Sequence, residues 1–259
     1  MKIHFYKYQG AGNDFIMVDN RDLSFEKTNT NLVNKLCDRR FGIGADGLIL
    51  LEPSKTADFK MIYFNADGNE GSMCGNGGRC IVAFAKQLNI IKNETTFDAV
   101  DGLHYATIEN EIVSLKMIDV NTIESSKTHS FLNTGSPHHI SFTDNVNNIN
   151  VKELGAKIRY GAPYFNEGTN VNFAEKTSDN SFKVRTYERG VEDETLACGT
   201  GVTAVAIAAH NTNKTTDNSI KVEVLGGNLE VSFNEENGTY KNVFLKGPAQ
   251  FVFEGNILT

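Results

Sequence analysis

The chain of 259 residues is 40% hydrophobic and 22% charged, which is typical of a soluble globular protein with one large or two ordinary domains. Its net charge is −7 and no cluster of Lys and Arg stands out, which disfavours nucleic acid as a partner. Four cysteines are too few for a disulfide scaffold, the first residues lack the features of a secretion signal, and no apolar run approaches the ~18 residues that span a membrane. We therefore expect a cytoplasmic protein without membrane or nucleic-acid partners.

The beginning of the chain predicts strands around one amphipathic helix. Apolar and polar residues alternate over residues 2–8 and 59–64, which predicts two strands. Between them, a helix that Thr30 could cap presents one apolar face. That face consists of Leu32, Val33, Leu36 and Cys37.

A Gly-x-Gly-x-x-Gly segment follows this helix, as Gly42-Ile43-Gly44-Ala45-Asp46-Gly47. In a dinucleotide-binding fold the motif comes after a strand and opens a helix. Here a helical pattern precedes the motif and strand-like residues 48–51 follow it, so the order is inverted. We therefore expect no nucleotide cofactor.

Two cysteines lie in near-matching glycine-rich turns, Met73-Cys74-Gly75-Asn76-Gly77-Gly78 and Ala197-Cys198-Gly199-Thr200-Gly201. Residues 80–85 and 202–209, which follow, are apolar all round and predict helices buried within their domains. A thiol at a helix N-terminus lies where a thiolate is stabilised. The glycines let a ligand approach backbone N–H groups that can bind an anion, so a substrate carboxylate could lie there beside the thiol.

Blander roles fit the other cysteines better. Cys37 lies on an apolar helix face and Cys80 inside an apolar run, so we interpret both as core residues. Cys74 and Cys80 lack the spacing of a zinc site, and His138-His139 is weak evidence for a metal, so we predict none. A disulfide between Cys74 and Cys198 is interpreted as an oxidation hazard rather than a structural bond.

The second half of the chain repeats the first. Strand patterns recur at residues 182–186 and 220–225, and Asp101-Gly102 and Asn237-Gly238 are turn signals. Four blocks align in order at offsets of 123 to 125 positions, including the two cysteine turns. Coincidence among common strand and turn patterns is the alternative.

We therefore predict an α/β fold with mixed sheets and two pseudo-symmetric domains that arose by internal duplication. Each domain has a sheet wrapped around a central buried helix, and the active site lies in the interdomain cleft. The crossover falls near residues 119–127, where the periodic pattern lapses into Asn, Ser and Thr.

Two facing thiols suit proton exchange at a carbon atom. One thiolate removes the α-proton from one face, and the other thiol donates a proton to the opposite face, so the configuration inverts. The base is ionised while the acid is protonated, and the pair titrates as a coupled unit. The helix N-termini stabilise the charge that develops on the substrate carboxylate, and domain closure excludes water.

Over essentially its whole length, the sequence resembles the diaminopimelate epimerase family. The matching segments, in order, are Gly10-Ala11-Gly12-Asn13-Asp14-Phe15, Arg40-Phe41-Gly42-Ile43-Gly44-Ala45-Asp46-Gly47, Asn65-Ala66-Asp67-Gly68, Cys74-Gly75-Asn76-Gly77-Gly78-Arg79-Cys80, Gly168-Thr169-Asn170-Val171, Tyr187-Glu188-Arg189-Gly190 and Glu194-Thr195-Leu196-Ala197-Cys198-Gly199-Thr200-Gly201.

The resemblance implies a cofactor-independent enzyme that interconverts L,L- and meso-diaminopimelate in lysine and cell-wall synthesis, as a homodimer. It implies that Cys74 and Cys198 are the acid/base pair. Backbone N–H groups of Gly75-Asn76 and Gly199-Thr200 would hold the reacting carboxylate. The implied substrate-recognising residues are Asn13, Asn65, Asn170, Glu188 and Arg189, with Arg189 on the distal carboxylate. His138 and Glu188 are candidates for tuning the thiol pKa values.

The family also implies that the last strand, around residues 251–257, returns to the first domain. We therefore expect one domain over residues 1–118 plus 249–259 and the other over residues 119–248.

Two positions depart from the family pattern and touch substrate contacts. The family's Gly-Asn-Pro-His is Gly135-Ser136-Pro137-His138 here, and some members carry Gln where this chain has Gly47. The rival functions are proline or hydroxyproline racemization, whose first motif usually reads Cys-Gly-His-Gly, an isomerase of the phenazine-biosynthesis type without the cysteine pair, and a non-catalytic amino-acid-binding protein. Asn76 at the third position of the first motif favours the epimerase.

Overall fold

The computed structural model describes residues 2–71 and 73–259, and contacts within the chain divide it into two units. The first unit is Met1–Leu115 with Gly247–Thr259, and the second is Lys116–Lys246. Among the described helices, none is long and apolar enough to cross a membrane.

The first unit is a mixed sheet with two helices. Its strands are β1 (Lys2–Gly10), β2 (Asn13–Asp19), β3 (Gly47–Glu52), β4 (Phe59–Asn65), β5 (Glu94–Ala99), β6 (Gly102–Glu109), β7 (Ile112–Lys116) and β17 (Gln250–Leu258), and its helices are α1 (Thr30–Cys37) and α2 (Gly75–Gln87). The pairs β2–β3 and β4–β5 are parallel, and β1–β2, β3–β4, β5–β6 and β6–β7 are antiparallel. From the end of the chain, β17 pairs antiparallel with β1.

Helix α2 is the centre of this unit. Residues 75–85 are all buried, because the helix contacts β1, β2, β3, β4, β6 and β17. This confirms the buried helix that the apolar run at residues 80–85 predicted. The same helix carries two polar side chains, Asn76 and Arg79, into the interior.

Helix α1 covers the other face of the sheet. Val33, Leu36 and Cys37 pack there in one apolar cluster with side chains from β2, β3 and β4. Because both of its faces are covered, β3 is buried along its whole length. The predicted cap at Thr30 is wrong by one residue: Oδ1 of Asn29 accepts the hydrogen bond from the backbone N–H of Leu32, at 3.0 Å, since the helix begins at Thr30 itself.

The second unit repeats this architecture. Its strands are β8 (Ile123–Ser125), β9 (Ser130–Asn133), β10 (Pro137–Phe142), β11 (Asn170–Ser178), β12 (Ser181–Glu188), β13 (Asp193–Thr195), β14 (Ser219–Val224), β15 (Gly227–Glu236) and β16 (Thr239–Pro248), and its helices are α3 (Val151–Tyr160), α4 (Gly199–Asn211) and a 3-10 turn, Val146–Asn148. The pairs β10–β11 and β12–β14 are parallel, and β9–β10, β11–β12, β14–β15 and β15–β16 are antiparallel.

The strand directions therefore follow the same order in both units, with a helix inserted at the same two places. α4 is buried over residues 201–209 and contacts β9, β10, β11, β12, β14 and β15, as α2 does with its own strands. The predicted mixed α/β fold with two duplicated halves, each wrapped around a helix, is confirmed. The inverted context of Gly42–Gly47 is confirmed as well, because α1 precedes the motif and β3 follows it. One predicted turn shifts slightly: Val100-Asp101 connects β5 to β6, whereas Gly102 already pairs with Ala99.

Candidate active site

Cys74 is the N-cap residue of α2. Its backbone is extended, with φ −107° and ψ 121°, and its carbonyl accepts a 2.7 Å hydrogen bond from the N–H of Gly78. The amides of a first helical turn point past the N-cap, so the thiol stands at the positive end of the helix. The turn is tightly packed, since a Cβ at Gly78 would lie 2.4 Å from Cε of Met73.

A chain of hydrogen bonds joins this turn to the neighbouring strands. Nη2 of Arg79 donates to Oδ1 of Asn76 at 3.0 Å, and Nδ2 of Asn76 donates to Oδ1 of Asn13. Nδ2 of Asn13 in turn donates to Oδ2 of Asp46 at 3.0 Å. Because each amide has its oxygen and its nitrogen engaged, both asparagine side chains are held in one orientation.

Arg79 is a fully buried cation. Its Nη1 and Nε contact the carbonyl oxygens of Gly75 and Pro248, respectively. Within residues 2–71 and 73–259, Arg79 forms no ion pair with a carboxylate. Burial lowers the pKa of Arg79, while the nearby thiols of Cys80 and Cys74 act in the opposite direction. A guanidinium held in this place favours an anion at its side.

A cluster of ion pairs fixes Asp46, at which this series of hydrogen bonds ends. Nη2 of Arg39 lies 2.7 Å from Oδ1 of Asp14 and 2.8 Å from Oδ1 of Asp46, and Lys7 approaches Asp14 at 2.7 Å. Burial opposes the ionisation of Asp14, but the hydrogen bonds from Arg39 and Lys7 outweigh it and lower its pKa to about 2. Asp14 is therefore a carboxylate at neutral pH and anchors the arginine that fixes Asp46.

Cys198 holds the matching position in the second unit. It is the N-cap of α4, with φ −120° and ψ 106°, and its carbonyl accepts a 2.9 Å hydrogen bond from the N–H of Val202. Its Sγ lies 3.4 Å from Oγ1 of Thr200, two residues into the helix. The residue is 7% exposed, so the thiol is largely shielded from water.

His138 is bonded at both ring nitrogens behind this turn. Nε2 lies 2.9 Å from Oγ1 of Thr200, and Nδ1 lies 3.0 Å from Nδ2 of Asn172. Burial, with a smaller contribution from the charge of Arg189, lowers the pKa of His138 to about 3. The imidazole is therefore neutral near pH 7.

Asn170 and Arg189 form a third group. Nδ2 of Asn170 donates to Oγ of Ser136 at 2.8 Å and to the carbonyl of Pro137 at 3.1 Å, and its Oδ1 accepts from the backbone N–H of Arg189 at 2.8 Å. Asn170 is buried and serves the shape of the turn. The guanidinium of Arg189 is exposed and donates from Nη1 to the carbonyl of Glu167 at 2.7 Å.

The predicted site residues thus form three separate groups. Their roles in binding and catalysis stay predictions. Asn13 and Asn76 are hydrogen-bonded beside Cys74 and Gly75. His138 and Thr200 are bonded beside Cys198 and Gly199, and Asn170 holds Arg189. Asn65 and Glu188 close β4 and β12, which are matching strands of the two units.

The sequence reasoning missed three supporting residues. Arg79 and Asp46 lie inside the motifs that match the family, but their spacing does not indicate that they hydrogen-bond to Asn76 and Asn13. Asn172 is two positions after Asn170 in the buried first half of β11, and two asparagines on one strand face are the signal that could have found it.

The two positions that depart from the family pattern, Ser136 and Gly47, are each constrained by their neighbours. Ser136 accepts the hydrogen bond from Asn170, so its hydroxyl is oriented by that amide. At Gly47, a Cβ would lie 2.5 Å from the ring of Tyr63 and 2.5 Å from the carbonyl oxygen of Phe64, which leaves no room for a glutamine without rearrangement. In the part of the chain that the structure describes, no three His, Cys, Asp or Glu side chains are grouped to hold a metal ion.

Comparison with known proteins gives both sequence and fold relatives. The family model described as diaminopimelate epimerase matches residues 5–122 and 130–252. A diaminopimelate epimerase from Flavobacterium psychrophilum is 64% identical over 97% of this chain and 99% of its own, and one from Chlorobaculum tepidum is 43% identical over 96% and 98%.

Solved structures share the fold at low sequence identity. A phenazine biosynthesis protein of the PhzF family from Bacillus anthracis has a TM-score of 0.79 and 15% identity, with 100% of both chains covered. A hydroxyproline epimerase from Agrobacterium vitis has a TM-score of 0.69 and 14% identity, with 99% of this chain and 92% of that chain covered. These likenesses concern the fold alone.

Proposed function

Because the chain belongs to the diaminopimelate epimerase family, we propose that it interconverts L,L- and meso-2,6-diaminopimelate without a cofactor, as a step of lysine and peptidoglycan precursor synthesis. The observation that carries this proposal is the pair of cysteines at the N-caps of two matching helices, α2 and α4. The 64% identity to a diaminopimelate epimerase over nearly the whole chain supports the substrate.

The reaction uses the two thiols as a proton donor and a proton acceptor. One of Cys74 and Cys198 is a thiolate and removes the α-proton, so that it becomes a thiol and leaves a carbanion. The other thiol donates its proton to the opposite face of that carbon and becomes a thiolate. The reverse direction exchanges the two roles, and no electron acceptor is needed.

The first turns of α2 and α4 stabilise the carbanion. Backbone N–H groups at Gly75-Asn76 and Gly199-Thr200 hold the reacting carboxylate, on which negative charge grows as the C–H bond breaks. The buried Arg79 and the neutral His138 flank these turns and favour an ionised thiol beside them, and Glu188 is a second candidate for this tuning.

Substrate recognition falls to the polar side chains around the thiols. Asn13 and Asn65 in the first unit, with Glu188 and Arg189 in the second, bind the amino and carboxylate groups of diaminopimelate. The exposed guanidinium of Arg189 suits bidentate contact with the distal carboxylate. Asn170 acts on the substrate through the groups that it orients, Ser136 and the turn at Arg189.

The experiment is incubation with L,L-diaminopimelate in D₂O, with chiral separation and mass analysis of the product. We expect meso product that carries deuterium at the inverted α-carbon, and loss of turnover in Cys74→Ala and in Cys198→Ala. Cys37→Ala is the matched control, because that thiol is buried in the apolar cluster between α1 and the sheet, and its removal should leave turnover unchanged. Turnover of L-proline alone would assign the chain to the racemases instead, and binding without isotope incorporation would make it a binding protein.

We further propose that the protein is cytoplasmic, and that its two domains comprise residues 1–118 plus 249–259 and residues 119–248.

We also propose that it is a homodimer. Exposed apolar side chains on β17 support a second copy as the partner, since Phe251, Val252 and Phe253 are 44%, 52% and 45% exposed. Sedimentation equilibrium should give twice the chain mass of 28.5 kDa, and Phe253→Lys should reduce it to the monomer. A monomeric wild-type protein at micromolar concentration would refute the dimer.

A further inference from the structure

The amide of Asn172 has an orientation that its neighbours determine. Its Nδ2 lies 3.2 Å from the carbonyl oxygen of His139, and a carbonyl oxygen can only accept a hydrogen bond, so the amino group must be on that side. Its Oδ1 accepts from the hydroxyl of Thr186 at 3.0 Å. The side chain is fully buried, so no solvent competes for these bonds.

The second N–H of that amino group determines where His138 carries its proton. It points at Nδ1 of His138 from 3.0 Å, so Nδ1 must be the unprotonated, accepting nitrogen. The proton of the neutral ring is therefore on Nε2, which donates to Oγ1 of Thr200 at 2.9 Å. In an imidazolium, the N–H at Nδ1 would face the N–H of Asn172, so two donors would oppose each other. The positive charge of Arg189 also disfavours the protonated ring.

The consequence reaches Cys198 through one hydroxyl group. Since Oγ1 of Thr200 accepts from His138, its own proton is available to Sγ of Cys198 at 3.4 Å. A hydrogen bond donated to a thiolate stabilises the charged form over the thiol. His138 thus acts on the thiol through Thr200 and does so without carrying a charge itself.

We propose that Asn172 is a positioning residue, which fixes the Nε2–H tautomer of His138 and thereby commits the Thr200 hydroxyl to donate to the Cys198 thiolate. The catalytic meaning of this arrangement rests on the proposed function, but the tautomer and the thiol's reactivity do not. The packing supports it, because a Cβ at Gly201 would lie 2.3 Å from Oδ1 of Asn172 and 3.3 Å from Cε1 of His138.

The test inverts the tautomer with a nearly isosteric change. In Asn172→Asp an accepting oxygen replaces the donating amino group, so Nδ1 of His138 carries a proton. The carboxylate also favours the imidazolium, so the variant is compared at a pH high enough for the ring to be neutral, where Nε2 must accept from Thr200. The Cys198 thiolate then loses the hydrogen bond from the Thr200 hydroxyl. We expect the long-range ¹H–¹⁵N NMR pattern of His138, assigned by its loss in His138→Gln, to change from the Nε2–H to the Nδ1–H form.

The thiol is followed separately, by the rate of iodoacetamide alkylation against pH in a Cys74→Ala background. Burial raises the pKa of Cys37 and that of Cys80 to about 12, so Cys198 dominates the reaction near neutral pH. We expect alkylation to become about tenfold slower in Thr200→Val at pH 7, and in Asn172→Asp at a pH where its His138 ring is neutral, because a hydrogen bond to a charged group is lost. Thr200→Ser retains the hydroxyl and should restore the rate.

Each outcome bears on the proposal. An Nδ1–H pattern in the wild-type protein would overturn it without any variant, and so would a Thr200→Val alkylation profile identical to that of the parent. A protein with the expected tautomer and alkylation rates that incorporates no deuterium into diaminopimelate would contradict the proposed function and leave this inference intact.

Discussion

Nη2 of Arg79 donates a 3.0 Å hydrogen bond to Oδ1 of Asn76, one helical turn away, in a place that water does not reach. The bond turns the amino group of Asn76 towards Asn13, so two residues proposed to contact the substrate are oriented by a third that is buried beneath them. Burying a guanidinium without a carboxylate costs free energy of folding, and in this protein the buried Arg79 orients Asn76.

Arg79→Met should lower kcat/KM about tenfold while leaving the protein folded. The change removes the bond that orients Asn76 and a positive charge near Cys74, and hydrogen bonds to charged groups contribute about 1.5–3 kcal/mol. Because an unpaired buried charge disappears, we expect thermal stability to be retained or raised. Steady-state kinetics and a melting curve on the same preparation measure both effects.

The matched control is Arg40→Met, which removes an exposed arginine. It should leave kcat/KM and the melting temperature unchanged. Full activity in Arg79→Met would show that Asn76 and Asn13 hold their orientation without it, and a melting temperature that falls by many degrees would show that Arg79 is a structural residue first.

The sequence predicts the two central helices well, because a helix that is apolar on all sides, such as residues 80–85, is stable only when it is buried in the interior. It also predicts the duplicated order of strands, since each copy repeats the same alternation and the same turn. The predicted cap of α1 is wrong by one residue because Asn29 and Thr30 are both good cap residues.

The supporting polar residues were beyond the reach of the sequence for a different reason. Asn172 bonds to His138 across 34 positions, and the contact exists only because β10 and β11 pair in parallel with His138 opposite Asn170. A strand pattern gives the face on which a residue lies but not the register of its neighbour. The same holds for Asp46, whose bond to Asn13 spans 33 positions.

The stability of the protein should fall as the pH drops from about 6.5 towards 4. Burial lowers the pKa of His138 to about 3 and that of His139 to about 4, so below the usual value near 6.5 the unfolded chain takes up protons that the folded chain refuses. Each group then costs about 2 kcal/mol between pH 7 and pH 5. Urea titrations at both pH values measure the difference.

His139→Gln should remove roughly half of that pH dependence. His4→Gln is the control, since His4 is exposed and its substitution should leave the dependence unchanged. A free energy of unfolding that stays constant or rises from pH 7 to pH 5 would contradict the expectation, because it would mean that the buried rings accept protons as readily as free histidine.

Gly201→Ala should destabilise the protein by about 2 kcal/mol, against the general preference of helices for alanine over glycine. The added Cβ would collide with Oδ1 of Asn172, which cannot move because Thr186 is bonded to it. In an Asn172→Ala background the space is open, so the same substitution should become neutral or stabilising. Chemical unfolding of the wild type, the two single variants and the double variant completes this double-mutant cycle, and an unchanged sign would show that Asn172 is not the obstacle.

Arg189→Lys should raise KM for diaminopimelate about tenfold with a smaller effect on kcat. A guanidinium binds a carboxylate through two parallel hydrogen bonds, whereas an ammonium offers a point charge, and the distal carboxylate takes no part in the bond changes at the α-carbon. Arg21→Lys, on an exposed turn, is the control and should behave as the wild type. Because the backbone N–H of Arg189 bonds to Asn170, and any residue provides that N–H, the turn itself should survive the change. A large fall in kcat at unchanged KM would instead place Arg189 close to the reacting carbon, where it would act on the transition state and not on recognition.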